Sequence, residues 1–452
     1  MKQQKFKLIG LLFIISAIIL NKYFVGKILT GDGTIESLPV EIIIWSFDIV
    51  CIIYGILLVV FTEKTKFVTQ SVFKKLKPAI IIFIITITLF YILDLLTGLV
   101  WPIQPWETQE EITAKLSYEG EPYYSKEFLL EKHEAIEPGQ WETPKNSSMI
   151  LKTEYSGKYI NAVKESFGAK SVYRKTTNKY SYDDKDVKKI LILGGSTIYC
   201  NEVPDELTIS SKLSKKLNTG NDKFFVINAG MDSANSKQEL ERIEYELENG
   251  LTPDIVISYH GYNDIVTGIY QKNPDGVMFY RNRLKETIFK ILPLNIYKRI
   301  RHETEKNKED IRINPTEEDP DELKQLKFDT KETYLKNSRR INELSKKYNF
   351  EYYDILQPIA IYGDYPDSNK DIQEVYKYAN KYLPGSFEAT KHGYEVLQEA
   401  VSILDNEGIS SFNWSKLLIN KNENIFVDPC HINSKGNEII ASELYKMLIK
   451  TK

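Results

Sequence analysis

The chain has 452 residues, of which 42% are hydrophobic and 27% charged, proportions typical of a folded protein long enough for more than one domain. Its 59 Lys and Arg residues against 62 Asp and Glu leave a net charge of -3, which excludes the broad basic surface of a nucleic-acid-binding protein. Only three cysteines and five scattered histidines are present, which excludes a cysteine-based zinc site. The composition requires neither a metal nor a cofactor.

Long apolar segments are confined to the first hundred residues. Residues 42–61 and 79–100 each have about the 20 residues that a helix needs to cross the hydrocarbon core of a bilayer. An earlier run over about 8–25 is either a retained helix or a cleaved signal peptide, and the lack of a small-residue cleavage site after it favours a helix. The sequence therefore predicts that residues 1–101 form a membrane anchor of three transmembrane helices in a bacterial cytoplasmic membrane.

The orientation of this anchor follows from lysines in its short loops. Lysines precede the first apolar run and separate the second from the third, and cytoplasmic loops are the ones enriched in Lys and Arg. These residues are Lys2, Lys5, Lys7, Lys64, Lys66, Lys74, Lys75 and Lys77. Everything after about residue 101 is therefore predicted to lie outside the cytoplasm.

The pattern changes again at about residue 187. Residues 102–186 are rich in Pro, Glu, Tyr and Lys without sustained periodicity, which predicts a linker with an irregular approach segment. Over 187–452, β-forming runs that end in glycine alternate with helical stretches, which is typical of βαβ units and a buried parallel sheet. A charged stretch at about 268–335 is predicted to be an insertion in this second part.

Four short blocks of the second part carry chemically useful residues. Three of them follow predicted strands, where open parallel sheets bind their ligands, and the fourth is close to the C-terminus. They are Gly194-Gly195-Ser196-Thr197, Asn228-Ala229-Gly230, Gly261-Tyr262-Asn263-Asp264 and Asp428-Pro429-Cys430-His431. Together they contain Ser, Asp and His, which are the parts of a nucleophilic triad.

The predicted chemistry explains these residue types. A serine hydroxyl becomes a nucleophile when an imidazole takes its proton, and the imidazole needs an acceptor that fixes its tautomer. Ser196, His431 and Asp428 are therefore the candidate catalytic residues. Acyl transfer also needs donors for an oxyanion, and these are predicted to be the Ser196 N–H, the Gly230 N–H and the Asn263 amide. Glycine at position 230 is expected to leave the substrate a path to that N–H.

His260 is the rival candidate for the base. The carboxylate close to it in sequence is that of Asp264, so His260 is interpreted as lining the site or packing at the end of its strand.

In this order the four blocks resemble the SGNH hydrolases, also called GDSL hydrolases, a family named for Ser, Gly, Asn and His in separate blocks. The resemblance covers about 188–275 and 340–450, and it implies a three-layer α/β/α sandwich with a mainly parallel sheet. Gly195 stands where many members have Asp before the serine, which leaves the subfamily open. The residues that match the family's blocks are Ser196, Gly230, Asn263, Asp428 and His431.

Three functions are consistent with these features. The preferred one is a serine esterase that cleaves acyl esters, above all acetyl esters, on cell-envelope or extracellular glycans through an acyl-enzyme. The second is an O-acyltransferase that modifies an envelope polysaccharide. It would need a multi-spanning partner, because three helices are too few to bring an acyl donor across the bilayer. The third is a catalytically silent protein of the same fold that binds or assembles glycans.

Cys200 and Cys430 form a possible disulfide. Contact between Ser196 and His431 would bring the two cysteines into one neighbourhood, because Cys200 lies four residues after the serine and Cys430 directly precedes the histidine. An extracytoplasmic domain also favours disulfides. The alternative is two buried reduced thiols that fill small apolar sites.

Overall fold

The computed structural model describes residues 118, 120–136, 141–142, 144, 147–168, 171–277, 320–360, 373, 375–377, 385–419 and 424–450, with a few isolated positions before residue 100. The three predicted membrane spans, 8–25, 42–61 and 79–100, lie outside these residues except for those isolated positions. Within the described residues, no helix combines the length and the apolar character needed to cross a membrane. The membrane anchor therefore remains a prediction.

The described part of the chain contains both strands and helices. The strands are β1 (Trp141–Glu142), β2 (Leu151–Lys152), β3 (Tyr155–Ser156), β4 (Asn161–Lys164), β5 (Val172–Arg174), β6 (Val187–Gly194), β7 (Lys223–Asn228), β8 (Ile255–His260), β9 (Glu351–Leu356) and β10 (Ser410–Asn413). The helices are α1 (Lys126–Ile136), α2 (Ser196–Tyr199), α3 (Ile209–Leu217), α4 (Ser236–Glu248), α5 (Tyr262–Ile265), α6 (Pro320–Tyr348), α7 (Ser386–Asn406) and α8 (Ser434–Lys450). A 3₁₀ turn covers Asp205–Leu207, and a π-helical turn covers Val266–Tyr270.

One eight-stranded sheet organises these elements, in the order β10-β9-β8-β6-β7-β5-β4-β3. The five strands from β10 to β7 pair in parallel, and β5, β4 and β3 continue the sheet antiparallel beyond β7. Strands β1 and β2 form a separate antiparallel pair. Three of the four chemical blocks follow β6, β7 and β8, which are neighbours in the sheet, so their loops meet at one edge.

Helices cover both faces of this sheet. Successive side chains of a strand point to opposite faces, so Ile190 and Ile192 of β6 pack with α3 and α8, whereas Leu191 and Leu193 pack with α4, α6 and α7. All four side chains are fully buried, as expected for a central strand covered on both sides. The prediction of a three-layer arrangement of sheet and helices is confirmed, with a mixed sheet of which the larger part is parallel.

The prediction of a linker with an irregular approach segment over 102–186 is wrong for the strands and the helix described between residues 118 and 174, whereas residues 175–186 are irregular. Strands β3 to β5 belong to the main sheet, and Tyr118, Phe128 and Ile160 are fully buried in the same apolar cluster as Ile198 of α2. These strands have only two to four residues, too few for the alternation by which a strand is recognised in a sequence. Their stability comes from pairing with β7 and from α1, which no local pattern reveals.

The predicted insertion at 268–335 extends too far. Residues 278–319 lie outside the described part of the chain, but from Pro320 onward the chain forms α6. Leu326, Thr330 and Tyr334 are buried at a spacing of four residues, which is one face of this helix. The many charges on its other face hid that stripe in the sequence.

Candidate active site

Two glycines bring the chain from the central strand into the nucleophile helix. Strand β6 ends at Gly194, and α2 begins at Ser196. A Cβ atom on Gly194 would lie 2.8 Å from the Tyr259 carbonyl oxygen, and one on Gly195 would lie 2.5 Å from Asn263 Nδ2. A side chain at position 195 would therefore displace the Asn263 amide from its observed position.

Ser196, His431 and Asp428 lie in one line of hydrogen bonds. The distance from His431 Nε2 to Ser196 Oγ is 2.7 Å, and His431 Nδ1 is hydrogen-bonded to Asp428 Oδ2. The other carboxylate oxygen of Asp428 accepts the backbone N–H of His431 at 2.8 Å and that of Cys430 at 2.9 Å. With Nδ1 donating to the carboxylate, Nε2 is placed to accept the serine proton.

This arrangement shifts the pKa values of Asp428 and His431. Burial alone would raise the pKa of Asp428, but the charge of His431 and the hydrogen bonds from His431 and Cys430 lower it to about 2. Burial alone would lower the pKa of His431, but the carboxylate of Asp428, with smaller contributions from Cys430 and Glu202, raises it well above the ordinary value. Asp428 is therefore ionised at neutral pH, and it stabilises the imidazolium that forms when Ser196 loses its proton.

The raised pKa of His431 should move the loss of activity at acid pH to a higher pH than is usual for a histidine base. Only the neutral imidazole accepts a proton, so we expect kcat/KM to increase with pH around a midpoint above 6.5, the ordinary histidine value. Asp428→Asn removes the negative charge and should move this midpoint to lower pH, at a much lower overall rate. Measured pH profiles of both proteins test this, and a wild-type midpoint at or below 6.5 would contradict it.

The three predicted oxyanion donors are not equally available to a substrate in the structure. The Ser196 N–H belongs to the first residue of α2, and the first N–H groups of a helix have no acceptor within the helix. The Asn263 Nδ2 group donates to the Ala234 carbonyl at 2.8 Å, which leaves its second hydrogen for a substrate oxygen. The Gly230 N–H donates to Asn228 Oδ1 at 3.1 Å and is therefore already engaged.

The reason for glycine at position 230 also differs from the predicted one. A Cβ atom there would lie 2.4 Å from the Tyr199 nitrogen and 2.9 Å from the Ile198 carbonyl carbon. Glycine is thus required by the close packing of this loop on the backbone of α2, and not by the predicted access of substrate to the N–H.

His260 is 2% exposed, and both of its ring nitrogens face groups other than Ser196. Its ring lies between two buried carboxylates, with Nδ1 3.2 Å from Glu239 and Nε2 3.1 Å from Asp354. Both partners come from distant elements, α4 and β9, so the residues next to His260 in the sequence do not reveal them. Asp264, its neighbour in sequence, instead accepts the backbone N–H of Ser236 at 3.0 Å. Of the two interpretations of His260, the structure matches packing at the strand end.

The predicted disulfide is wrong for this structure, in which Cys200 and Cys430 are free and buried. The two residues belong to apolar clusters on opposite faces of the sheet. The Cys200 thiol donates to the Thr197 carbonyl at 3.0 Å, whereas the Cys430 sulfur lies 3.6 Å from His431 Nδ1. Contact between Ser196 and His431 therefore does not bring the two sulfur atoms together.

Both thiols should be unreactive until the protein unfolds. Burial raises the pKa of Cys200 and of Cys430 to about 12 each, so almost no reactive thiolate exists at pH 8. We expect iodoacetamide to leave both residues unlabelled in the native protein and to label both after denaturation without a reductant. Peptide mass spectrometry of the native and denatured samples measures the labelling. A disulfide-linked peptide pair would show that the two cysteines are bonded after all.

Among the described residues, the potential metal ligands include two members of the hydrogen-bonded triad. Ligand atoms of Asp428, Cys430 and His431 all lie within 4.8 Å of one another. His431 is hydrogen-bonded on both ring nitrogens, and Asp428 accepts the backbone N–H groups of Cys430 and His431. Because a metal would need the lone pairs that these hydrogen bonds already use, the residues fit proton transfer better than metal binding.

Comparisons with known proteins give weak likenesses. No family model matches the chain, and no curated protein matches it. An acetyl xylan esterase structure is 14% identical with a TM-score of 0.34, covering 57% of this chain and 99% of its own. A GDSL-like lipase from Bacteroides thetaiotaomicron is 12% identical with a TM-score of 0.32, covering 60% of this chain and 93% of its own.

A lipase/acylhydrolase from Enterococcus faecalis is 15% identical with a TM-score of 0.33, covering 58% of this chain and 95% of its own. At such identities and scores the likeness carries no argument about activity. The function of this chain has to be inferred from its own residues.

Proposed function

We propose that this protein is a serine esterase that uses Ser196, His431 and Asp428 to cleave acyl esters through an acyl-enzyme. The observation that carries the proposal is the 2.7 Å contact between Ser196 Oγ and His431 Nε2, with Asp428 on the other ring nitrogen. The ordered resemblance of the four blocks to SGNH hydrolases supports it independently, because that resemblance depends only on the sequence.

The reaction follows from this arrangement in two halves. Ser196 Oγ attacks the ester carbonyl carbon while His431 Nε2 takes the hydroxyl proton, and the oxyanion that forms accepts hydrogen bonds from the Ser196 N–H and the Asn263 amide. The C–O bond to the leaving alcohol breaks as His431 returns the proton to it. Water then attacks the acyl-enzyme with the same base, which releases the carboxylic acid and restores Ser196.

The proposed substrates are acetyl esters on cell-envelope or extracellular glycans. This part depends on the predicted membrane anchor and its orientation, which would hold the site outside the cytoplasm and close to the envelope. The alternative O-acyltransferase would use the same acyl-enzyme, with a glycan hydroxyl in place of water and a multi-spanning partner as the source of acyl groups.

Hydrolysis of p-nitrophenyl acetate by the full-length chain tests the proposal, with and without an unacetylated glycan acceptor. We expect acetate and p-nitrophenol in equal amounts in both cases. Acetylated glycan in place of acetate would favour the transferase. No release of p-nitrophenol above the rate of the Ser196→Ala variant would contradict both enzymes and favour the silent binding protein.

The location of the site is a separate prediction. The lysine-rich loops predict that an alkaline phosphatase reporter fused after residue 110 is active, because that enzyme folds only outside the cytoplasm. The same reporter fused near Gln70 should be inactive. The reverse result would place the site in the cytoplasm and exclude envelope glycans as substrates.

A further inference from the structure

The nucleophile helix α2 has only four residues, so its last carbonyl groups need partners from outside the helix. Asn228 supplies one, because its Nδ2 donates to the Ile198 carbonyl at 2.7 Å. Arg174 supplies the next, because its Nε donates to the Tyr199 carbonyl at 3.2 Å. Arg174 of β5 pairs with Asn228 of β7 in the sheet. Two neighbouring sheet residues thus cap two successive carbonyls behind Ser196.

The rest of the Arg174 guanidinium fixes the turn that follows the helix. Its Nη2 donates to the Val203 carbonyl at 2.9 Å, and its Nη1 donates to the Asn161 carbonyl at 3.2 Å and pairs with the carboxylate of Asp205. Asp205 is held in turn by the Asn161 backbone N–H at 3.0 Å. Arg174 is 1% exposed and Asp205 6%, so water cannot replace these contacts. A planar guanidinium presents its donors in a fixed geometry, which makes this attachment rigid.

We propose that Arg174 is a positioning residue that holds Ser196 Oγ at the distance needed for proton transfer to His431. The proposal rests on the proposed role of Ser196 as the nucleophile. The Cys200 N–H donates to the Ser196 carbonyl at 2.8 Å, so the chain from Ser196 to Cys200 forms a single helical turn. A displacement of the Tyr199 carbonyl would therefore also move Ser196. A misplacement of about 1 Å at a reacting group can cost about 10²-fold in rate.

Arg174 lies in the segment 102–186, which is predicted from the sequence to be a linker with an irregular approach segment. The proposal therefore makes strand β5 a part of the catalytic unit. Its signal in the sequence was slight, since Val172, Tyr173 and Arg174 form a strand of only three residues.

Two variants separate positioning from a general loss of stability. Arg174→Lys keeps a positive charge for Asp205 but lacks the planar set of donors that reaches the carbonyls of Tyr199 and Val203 together. Arg174→Met combined with Asp205→Asn removes both charges, so no unpaired charge is left buried. The matched control is Arg242→Met with Glu246→Gln, which removes a second buried pair, 2.8 Å apart and 1% and 0% exposed. That pair packs around Tyr173, whose side chain leaves β5 on the opposite face from Arg174.

The measurements use the full-length chain with p-nitrophenyl acetate and with paraoxon, which phosphorylates a reactive serine. For both Arg174 variants we expect kcat and the rate of Ser196 phosphorylation to fall about 10- to 100-fold, with KM changed by less than about twofold. The midpoint of the pH profile should stay unchanged, because Arg174 contacts neither His431 nor Asp428. The control pair should react at nearly the wild-type rate, whatever its melting temperature.

Two results would overturn the proposal: a wild-type phosphorylation rate in Arg174→Lys, or an equal loss of rate in the control pair. If the double variant does not fold, Arg174→Lys decides alone. Failure of the proposed function is a different result, in which the wild-type protein does not react with paraoxon or reacts equally after Ser196→Ala.

Discussion

Ser196→Ala should abolish ester hydrolysis while leaving the fold intact. The variant loses the only atom that forms the acyl-enzyme, so we expect kcat to fall roughly 10⁴- to 10⁶-fold, the range seen when a member of a serine triad is removed. His431→Ala should fall nearly as far, because the serine then keeps its proton. Because the hydroxyl contacts His431 at a loop, its loss removes little packing. Steady-state kinetics with p-nitrophenyl acetate and circular dichroism measure the two effects.

The matched control for this variant is Ser210→Ala. Ser210 is a buried serine of α3 whose hydroxyl has no hydrogen-bond partner among the described residues, so its removal should leave both rate and fold unchanged. Retention of more than about a tenth of the wild-type rate in Ser196→Ala would reject the nucleophile assignment, since the expected loss is thousands of times larger.

Asn263→Ala should lower kcat by about 10²- to 10³-fold with little change in KM, which is the typical cost of removing one oxyanion donor. The amide of Asn263 is fixed by its bond to the Ala234 carbonyl, so its second hydrogen points to one place without reorganisation. The charge on the substrate oxygen develops only in the transition state, which is why kcat falls and KM does not. Initial rates over a range of ester concentrations separate the two constants.

Asn249→Ala is the control for this second variant. The Asn249 side chain also donates to a backbone carbonyl, that of Tyr245 at 2.8 Å, but at the exposed end of α4. It should leave kcat unchanged. An increase in KM at constant kcat in Asn263→Ala would show that the amide binds the ground-state ester, and the oxyanion role would be rejected.

Much of the central part of the sheet was predictable because its signals are local. Strand β6 is a continuous apolar run that ends in two glycines, and the amphipathic helix α4 begins at a capping box around Asn235. Strands of this kind lie parallel, and the loops after their carboxyl ends meet at one edge. For this reason Ser196 and Asn263 could be selected from the sequence alone. His431 was selected from its spacing to Asp428 within one block, although 235 residues separate it from Ser196.

Other features depended on which faces meet in the folded chain. The carboxylates beside His260 come from α4 and β9, 21 residues before it and 94 residues after it, and no spacing rule connects them. The sulfur atoms of Cys200 and Cys430 are separated because the two residues pack on opposite faces of the sheet.

Residues 118–174 show the same limit most clearly. Strands β3, β4 and β5 are too short to show a period that identifies them, and they become strands only by adding to the sheet in sequence beyond β7. Arg174 gains its position from that pairing, which brings a single guanidinium to the carbonyls behind Ser196. Periodicity, turns and block order are properties of neighbouring residues and can be recognised in a sequence. Contacts between distant segments depend on the free energy of packing the whole domain, so only the tertiary structure decided them.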